Sequence, residues 1–293
     1  MSYGIILLLL TGLCWVGIGV VVNHAARQQL DMDLIQSAAA AIILFAAIGM
    51  MFLRNSFRPP IGGMWLCYGA LLAAGAGNFL MLSWMRYAMA VGNSGAVWGI
   101  VQSAMICPFV MGMVFFGVAP TWNRLAGLGL VLAGILFLSR ATPTRAESRR
   151  GWLLFAFGAF AASGTAQCLA NLPSYWMHLE MSSELRAGLV QAGTIALFLV
   201  STPFRRCKTG RRNCLKPILL LSAIQILSLF FLFYRGLNIV ADHGCGSIGY
   251  PVAQGSCIAF FLLYNCCVLR QESGGRILWA LPALCGGILL MAW

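Results

Sequence analysis

The sequence predicts an all-α integral membrane protein, with ten transmembrane helices arranged as two inverted five-helix repeats. Three observations lead there. Sixty per cent of the 293 residues are hydrophobic and nine per cent are charged, where an ordinary soluble domain carries roughly 25% charged residues. With a mean hydropathy of +0.86, the chain cannot build a water-facing surface, and lipid must cover most of it. The apolar residues fall into charge-free stretches near the about 20 residues that a spanning helix needs, and motifs of the first half return in the second.

The first five stretches run from Met1 to Asn23, Leu34 to Leu53, Pro59 to Met85, Tyr87 to Asn123 and Leu125 to Ser139. The fourth is longer than one span requires, and Gly92-Asn93-Ser94 marks where its helix begins. The second five run from Gly151 to Leu172, Ala187 to Phe204, Pro217 to Tyr234, Gly244 to Leu269 and Ile277 to Trp293. Pro120 and Pro217 stand where proline is tolerated at a helix start, and Pro59-Pro60 and Pro203 lie near helix ends. The first stretch lacks the basic region and small-residue cleavage site of a signal peptide, and is read as a helix. The polar linkers, Arg140 to Arg150 and Arg205 to Lys216, are too short to bury a core. The predicted units are therefore a first repeat, 1–140, a basic linker, 141–150, and a second repeat, 151–293.

A net charge of +12 invites a nucleic-acid reading until its distribution is examined. Fourteen of the cations (Arg27, Arg86, Arg140, Arg145, Arg149, Arg150, Arg205, Arg206, Lys208, Arg211, Arg212, Lys216, Arg270 and Arg276) fall on one side of the predicted topology. Arg54, Arg58, Arg124, Arg186 and Arg235 fall on the other. The positive-inside rule places the larger set in the cytoplasm and both termini outside a cell membrane. The basic runs are read as topology signals over anionic lipid headgroups, not as a nucleic-acid surface. A monomer or homodimer is expected.

No cofactor or metal is expected. Most cysteines, including Cys14, Cys67, Cys107, Cys168 and Cys257, lie inside apolar stretches, where the thiol behaves as a small apolar group. There is no C-x-x-C pair, and His24, His178 and His243 are scattered. Cys207 and Cys214 fall on the cytoplasmic side, where a disulfide is not expected.

The internal repeat carries the functional argument. Arg86-Tyr87-Ala88 followed by Trp98-Gly99-Ile100-Val101-Gln102-Ser103 returns as Tyr234-Arg235-Gly236 followed by Tyr250-Pro251-Val252-Ala253-Gln254-Gly255-Ser256. Ala133-Gly134-Ile135-Leu136 returns as Gly286-Gly287-Ile288-Leu289. An odd number of helices per unit forces the second to insert upside down. Secondary transporters are built this way, with substrate held near the midplane between the halves.

The five-plus-five plan resembles the drug/metabolite transporter superfamily, in particular its EamA-type members. The resemblance is densest from Tyr87 to Ser139, with Asn123-Arg124-Leu125-Ala126-Gly127 and Ala133-Gly134-Ile135 at the family's characteristic repeat ending. Gly246-Ser247-Ile248 and the run Pro251 to Gln254 are similar to sugar porters of the glucose/rhamnose type. Family members commonly carry a glutamate after helix 4, where this chain has Val118. They also keep both termini in the cytoplasm, opposite to the charge count. The resemblance implies a cavity lined by helices 1, 3, 6 and 8, and so adds Trp15, Asn78 and Gln225 to the candidates.

Polar side chains in hydrocarbon are costly and should face the bundle interior. Gln102 and Gln254 occupy equivalent repeat positions, each one helical turn after an aromatic residue, Trp98 or Tyr250. An aromatic wall beside an amide suits a sugar ring or an amino acid. The alternative is that the glutamines only tie helices together. Ser103 and Ser256 are further polar candidates within helices, as are Thr165, Gln167, Gln191 and Ser228. Pro108 and Pro251 are candidate gating positions, because a proline within a helix frees a carbonyl and permits bending.

All seven acids (Asp31, Asp33, Glu147, Glu180, Glu184, Asp242 and Glu272) sit at or beyond predicted helix ends. Exchange of protons for a cation through an intramembrane carboxylate is therefore not the leading mechanism, and export of hydrophobic cations or drugs is the second reading. A membrane enzyme would need clustered His, Asp or Glu, or a base-activated Ser, and the sequence shows none. Transport of a small polar or amphipathic metabolite is the expectation.

Overall fold

The computed structural model describes residues 1–54, 64–92, 94–119, 121–139, 151–175, 181–204, 214–267 and 282–290. The linker 141–150 and most of the basic loop residues lie outside them. Among the described residues the chain is helical, without strands. The helices are α1 (Ser2–Arg27), α2 (Met32–Leu53), α3 (Met64–Val91), α4 (Ser94–Phe116) and α5 (Trp122–Ser139) in the first half. The second half holds α6 (Gly151–Tyr175), α7 (Ser183–Ser201), α8 (Leu215–Asp242), α9 (Gly249–Cys267) and α10 (282–290). Seven, α1 to α4 and α6 to α8, are by length and composition apolar enough to cross a membrane. The others pack among them.

The helices outrun their apolar stretches. Arg86 lies inside α3, Arg186 inside α7 and Arg235 inside α8, where a loop was expected. A charge does not end a helix: at the exposed Arg235 the stem can pack along apolar surface while the head reaches the interface, whereas Arg186 is fully buried. Capping sets the boundary instead. The Asp31 carboxylate accepts the amides of Asp33 (3.1 Å) and Leu34 (3.2 Å) to start α2, and Ser182 accepts from Leu185 (3.3 Å) to start α7.

Packing between the halves is closed under their exchange. α3 runs antiparallel to α6, with Gly77 against Ala162 and Ala166, and Trp84 against Gly158. α8 runs antiparallel to α1 in the same way, with Val240 and Gly236 at Gly4 and Ile224 at Gly17. α9 lies parallel to α1, with Gly12 facing Ala253 and Ser256; α4 lies parallel to α6, with Gly164 facing Cys107. α2 and α7 pair with each other near Ala47 and Gly188. At the tightest crossing, a Cβ on Gly75 of α3 would stand 1.8 Å from the Val190 carbonyl oxygen of α7. Small residues let backbones meet where lipid supplies no hydrophobic drive for association. Gly129, by contrast, meets nothing within 4 Å, so it does not serve a helix contact.

Candidate functional site

A cavity of about 140 Å³ lies between the halves. Residues from α1, α2, α3, α4, α6, α7, α8 and α9 wall it. Nine of the residues singled out from sequence meet there: Trp15, Asn78, Trp98, Gln102, Gln167, Gln191, Gln225, Tyr250 and Gln254. Gln102 and Gln254 are both buried and share this one space.

Aromatic rings frame the amides. Trp15 packs on Phe233 with ring centroids 4.9 Å apart, and Phe233 meets Tyr250 edge-on at 5.0 Å. Trp98 stacks on Phe261 at 5.1 Å, and Gly19 of α1 opens the space its ring fills. Some amides are tied down. Gln36 donates to the Phe79 carbonyl (3.2 Å) and to Ser83 (3.0 Å), Gln167 to Ser163 (2.7 Å), and Gln191 to Gln225 (3.4 Å). Thr194 donates to the Gly75 carbonyl at 3.0 Å, across the α3–α7 crossing.

Other polar atoms have no partner. The Trp98 indole N–H and the amide oxygens of Gln36, Gln167 and Gln254 are buried and unpaired. All four belong to residues lining the cavity. An unmet buried donor or acceptor costs about 1–3 kcal/mol, so a cluster of them around a void is what a polar guest would complete.

Ser103 and Ser256 do not line the cavity. Ser103 donates to the Ile100 carbonyl (2.6 Å) and Ser256 to the Ala253 carbonyl (2.9 Å), each within its own helix. Thr165 faces outward and is exposed. Pro251 stands in the first turn of α9, where a backbone N–H has no intrahelical acceptor and proline breaks nothing. Pro108 sits deeper in its helix. Just before it, Ser103–Met105 tightens to a 3₁₀ turn directly after Gln102.

Three features were not read from the sequence. α8 widens into a π-helix over Leu227–Phe233, a local geometry found at functional sites, and turns Leu229 and Phe233 toward the cavity. On α6, Ser163, Gln167 and Asn171 recur every four residues as a buried polar stripe, a spacing that was there to be found. Arg186 is buried in α7, not in a loop. No acidic residue lines the cavity among the described residues, and no cluster of His, Cys, Asp and Glu there could hold a metal ion.

This arrangement, a helical bundle around a membrane-embedded polar cavity, is what a transporter needs. Residues 2–140 match the EamA-like transporter family. The first half is thus similar to an EamA unit. That match, with helices apolar enough to cross a membrane, indicates a multi-pass membrane transporter of the drug/metabolite type, and members of that family are transporters rather than enzymes. A solved crystal structure, described only as that of a protein, is similar over 99% of this chain and 98% of its own length, with TM-score 0.72 and 14% identity. At that identity the likeness shows a shared fold across both halves of the chain, and nothing of substrate. No curated protein matches the sequence.

Proposed function

We propose that this EamA-type chain moves a small polar or amphipathic metabolite, amino-acid-like or sugar-like, by alternating access through the cavity between its halves. In this reading 151–293 is a second, inverted copy of the 1–140 unit. The chain sits in a cell membrane with its basic loops on the cytoplasmic side. The observation that carries the reading is the ring of unpaired polar atoms around the cavity, on Trp98, Gln36, Gln167 and Gln254. Aromatic faces beside amide handles suit a solute with both apolar and hydrogen-bonding surface. The absence of a carboxylate among the lining residues gives a hydrophobic cation nothing to pair with, and favours the metabolite over the drug. Gln102 and Gln254 contact the solute, with Trp98 and Tyr250 as stacking walls, and the α4 turn before Pro108 and the π-helix of α8 are the points of bending.

Purified protein in proteoliposomes tests this. Incubation with a uniformly ¹³C-labelled metabolite extract, read by mass spectrometry, is expected to show saturable accumulation of a small set of compounds, competed by their unlabelled forms. Accumulation no greater than in empty liposomes would overturn the reading.

A further inference from the structure

Arg186 is the largest fully buried side chain in the structure, 1% exposed, and among the described residues no carboxylate pairs with it. Its guanidinium donates to the side-chain oxygen of Asn238 (2.8 Å), the Ala170 carbonyl (2.8 Å) and Ser174 (3.0 Å), and lies 4.4 Å from the centroid of the Tyr234 ring. All four partners are neutral, and the Nε–H is left without an acceptor. Glu184, the nearest acid in sequence among the described residues, is engaged by Arg54 at the C-terminal end of α2. Arg186 also stands in the first turn of α7, where the helix dipole is positive and adds to the imbalance.

A buried cation is expected to be paired, and an ionisable residue buried within a helix able to span the membrane marks a functional site by default. This one lies directly behind the cavity wall, since Ala170 and Tyr234, which it touches, both line the cavity. Next to Ala170 on α6, the Asn171 amide has neither its nitrogen nor its oxygen bonded, and one turn on the Tyr175 hydroxyl is unbonded too. Unmet polar groups therefore lie on the helix that supplies two of the guanidinium's partners, Ala170 and Ser174, at the end of a polar stripe that starts in the cavity at Ser163 and Gln167.

We propose that Arg186 is the anion-recognising residue of the transport site, and that the transported solute carries an anionic group, a carboxylate or a phosphate, held by Arg186 together with Asn171. This rests on the transport reading and narrows its substrate class. Gln102 and Gln254 hold the neutral part of the solute, and the fixed charge rejects cations. An anion supplies the missing counter-charge at low dielectric without a protein carboxylate that would compete for the guanidinium.

The same proteoliposome uptake of labelled extract, sorted by the charge of what accumulates, provides the test. Wild-type protein is expected to enrich carboxylates or phosphates at least tenfold over matched neutral amides or alcohols. Arg186→Met is expected to lose that enrichment, and Arg186→Lys to retain part of it. The split between the two acid classes identifies the group. Because Arg186→Met strands Asn238 and Ser174, its thermal stability is measured beside the wild type; should it fail to fold, the wild-type charge preference and Arg186→Lys decide alone. Accumulation confined to neutral or cationic compounds, or an Arg186→Met variant with unchanged preference for acids, would overturn the proposal and leave transport standing. No accumulation by the wild type would overturn both.

Discussion

α1 and α6 take the same place in the two halves, and their inward faces are chemically different. Positions 152 apart correspond: Gly12 with Gly164, each meeting the neighbouring helix, and Gln102 with Gln254 across the cavity. In that register the inward face of α1 reads Thr11, Trp15, Gly19, Asn23, and that of α6 reads Ser163, Gln167, Asn171, Tyr175. The polar groups on α1 are satisfied, Thr11 by the Leu7 carbonyl (2.8 Å) and Asn23 by Ser94 (2.9 Å). Those on α6 are not: Gln167 keeps a free oxygen, Asn171 a free amide, Tyr175 a free hydroxyl. The common scaffold fixes where the helices cross. Of these two helices, only α6 leaves polar atoms unmet.

The first way to break this comparison attacks the scaffold. Gly75→Ala drives a methyl group into the Val190 carbonyl at 1.8 Å, and backbone on both sides leaves no flexible neighbour to give way. We expect a loss of at least about 3 kcal/mol, the upper end for overpacking, read as a large fall in melting temperature and aggregation in detergent. Gly164→Ala meets mainly the Cys107 side chain, its movable Sγ at 2.6 Å and its Cβ at 3.2 Å, and should fall less. A Gly75→Ala protein as stable as wild type would mean that the α3–α7 crossing is looser than described.

The second prediction separates function from stability on α6. Asn171→Leu removes two unmet polar atoms, each worth about 1–3 kcal/mol when buried, so the variant should melt no lower than wild type, and higher if leucine fits. Its transport should fall tenfold or more. Thr11→Val on α1 loses one satisfied hydrogen bond, about 1 kcal/mol, and should transport normally. Equal transport losses at both positions would erase the asymmetry.

Smaller effects sharpen the boundary of the site. Trp98→Phe keeps the stack on Phe261 and removes the unpaired N–H, which should weaken apparent affinity several-fold with little change in melting temperature. Ser103→Ala and Ser256→Ala break only bonds within their own helices. Each should shift stability by under about 1 kcal/mol and leave uptake kinetics untouched; a changed KM in either would extend the site beyond the cavity.

Helix number and much of the cavity were legible because bilayer thickness and repeat symmetry constrain them strongly. Gln102 and Gln254 stand out by their shared offset from an aromatic residue, and the symmetry brings them to one space. The direction a lone polar side chain faces is less constrained. Thr165 and Gln167 are two residues apart on α6, and only Gln167 faces inward. The four-residue spacing from Ser163 to Asn171 would have separated them. Arg186 was misread because a basic residue beside an apolar stretch looks like a loop charge. Ser182 starts the helix before it, and burial follows from its hydrogen bonds to Ala170 of α6 and Asn238 of α8. The π-helix has no sequence signal that we can identify, since Leu227–Phe233 is uniformly apolar apart from Ser228.

The measurement that bears most directly on the account is uptake by the double variant Gln102→Leu, Gln254→Leu in proteoliposomes. Leucine approximates glutamine in volume and removes both amides from the shared cavity while leaving the crossings intact. The account predicts a folded protein with a wild-type melting profile and no saturable flux. Undiminished uptake by a folded double variant would contradict it.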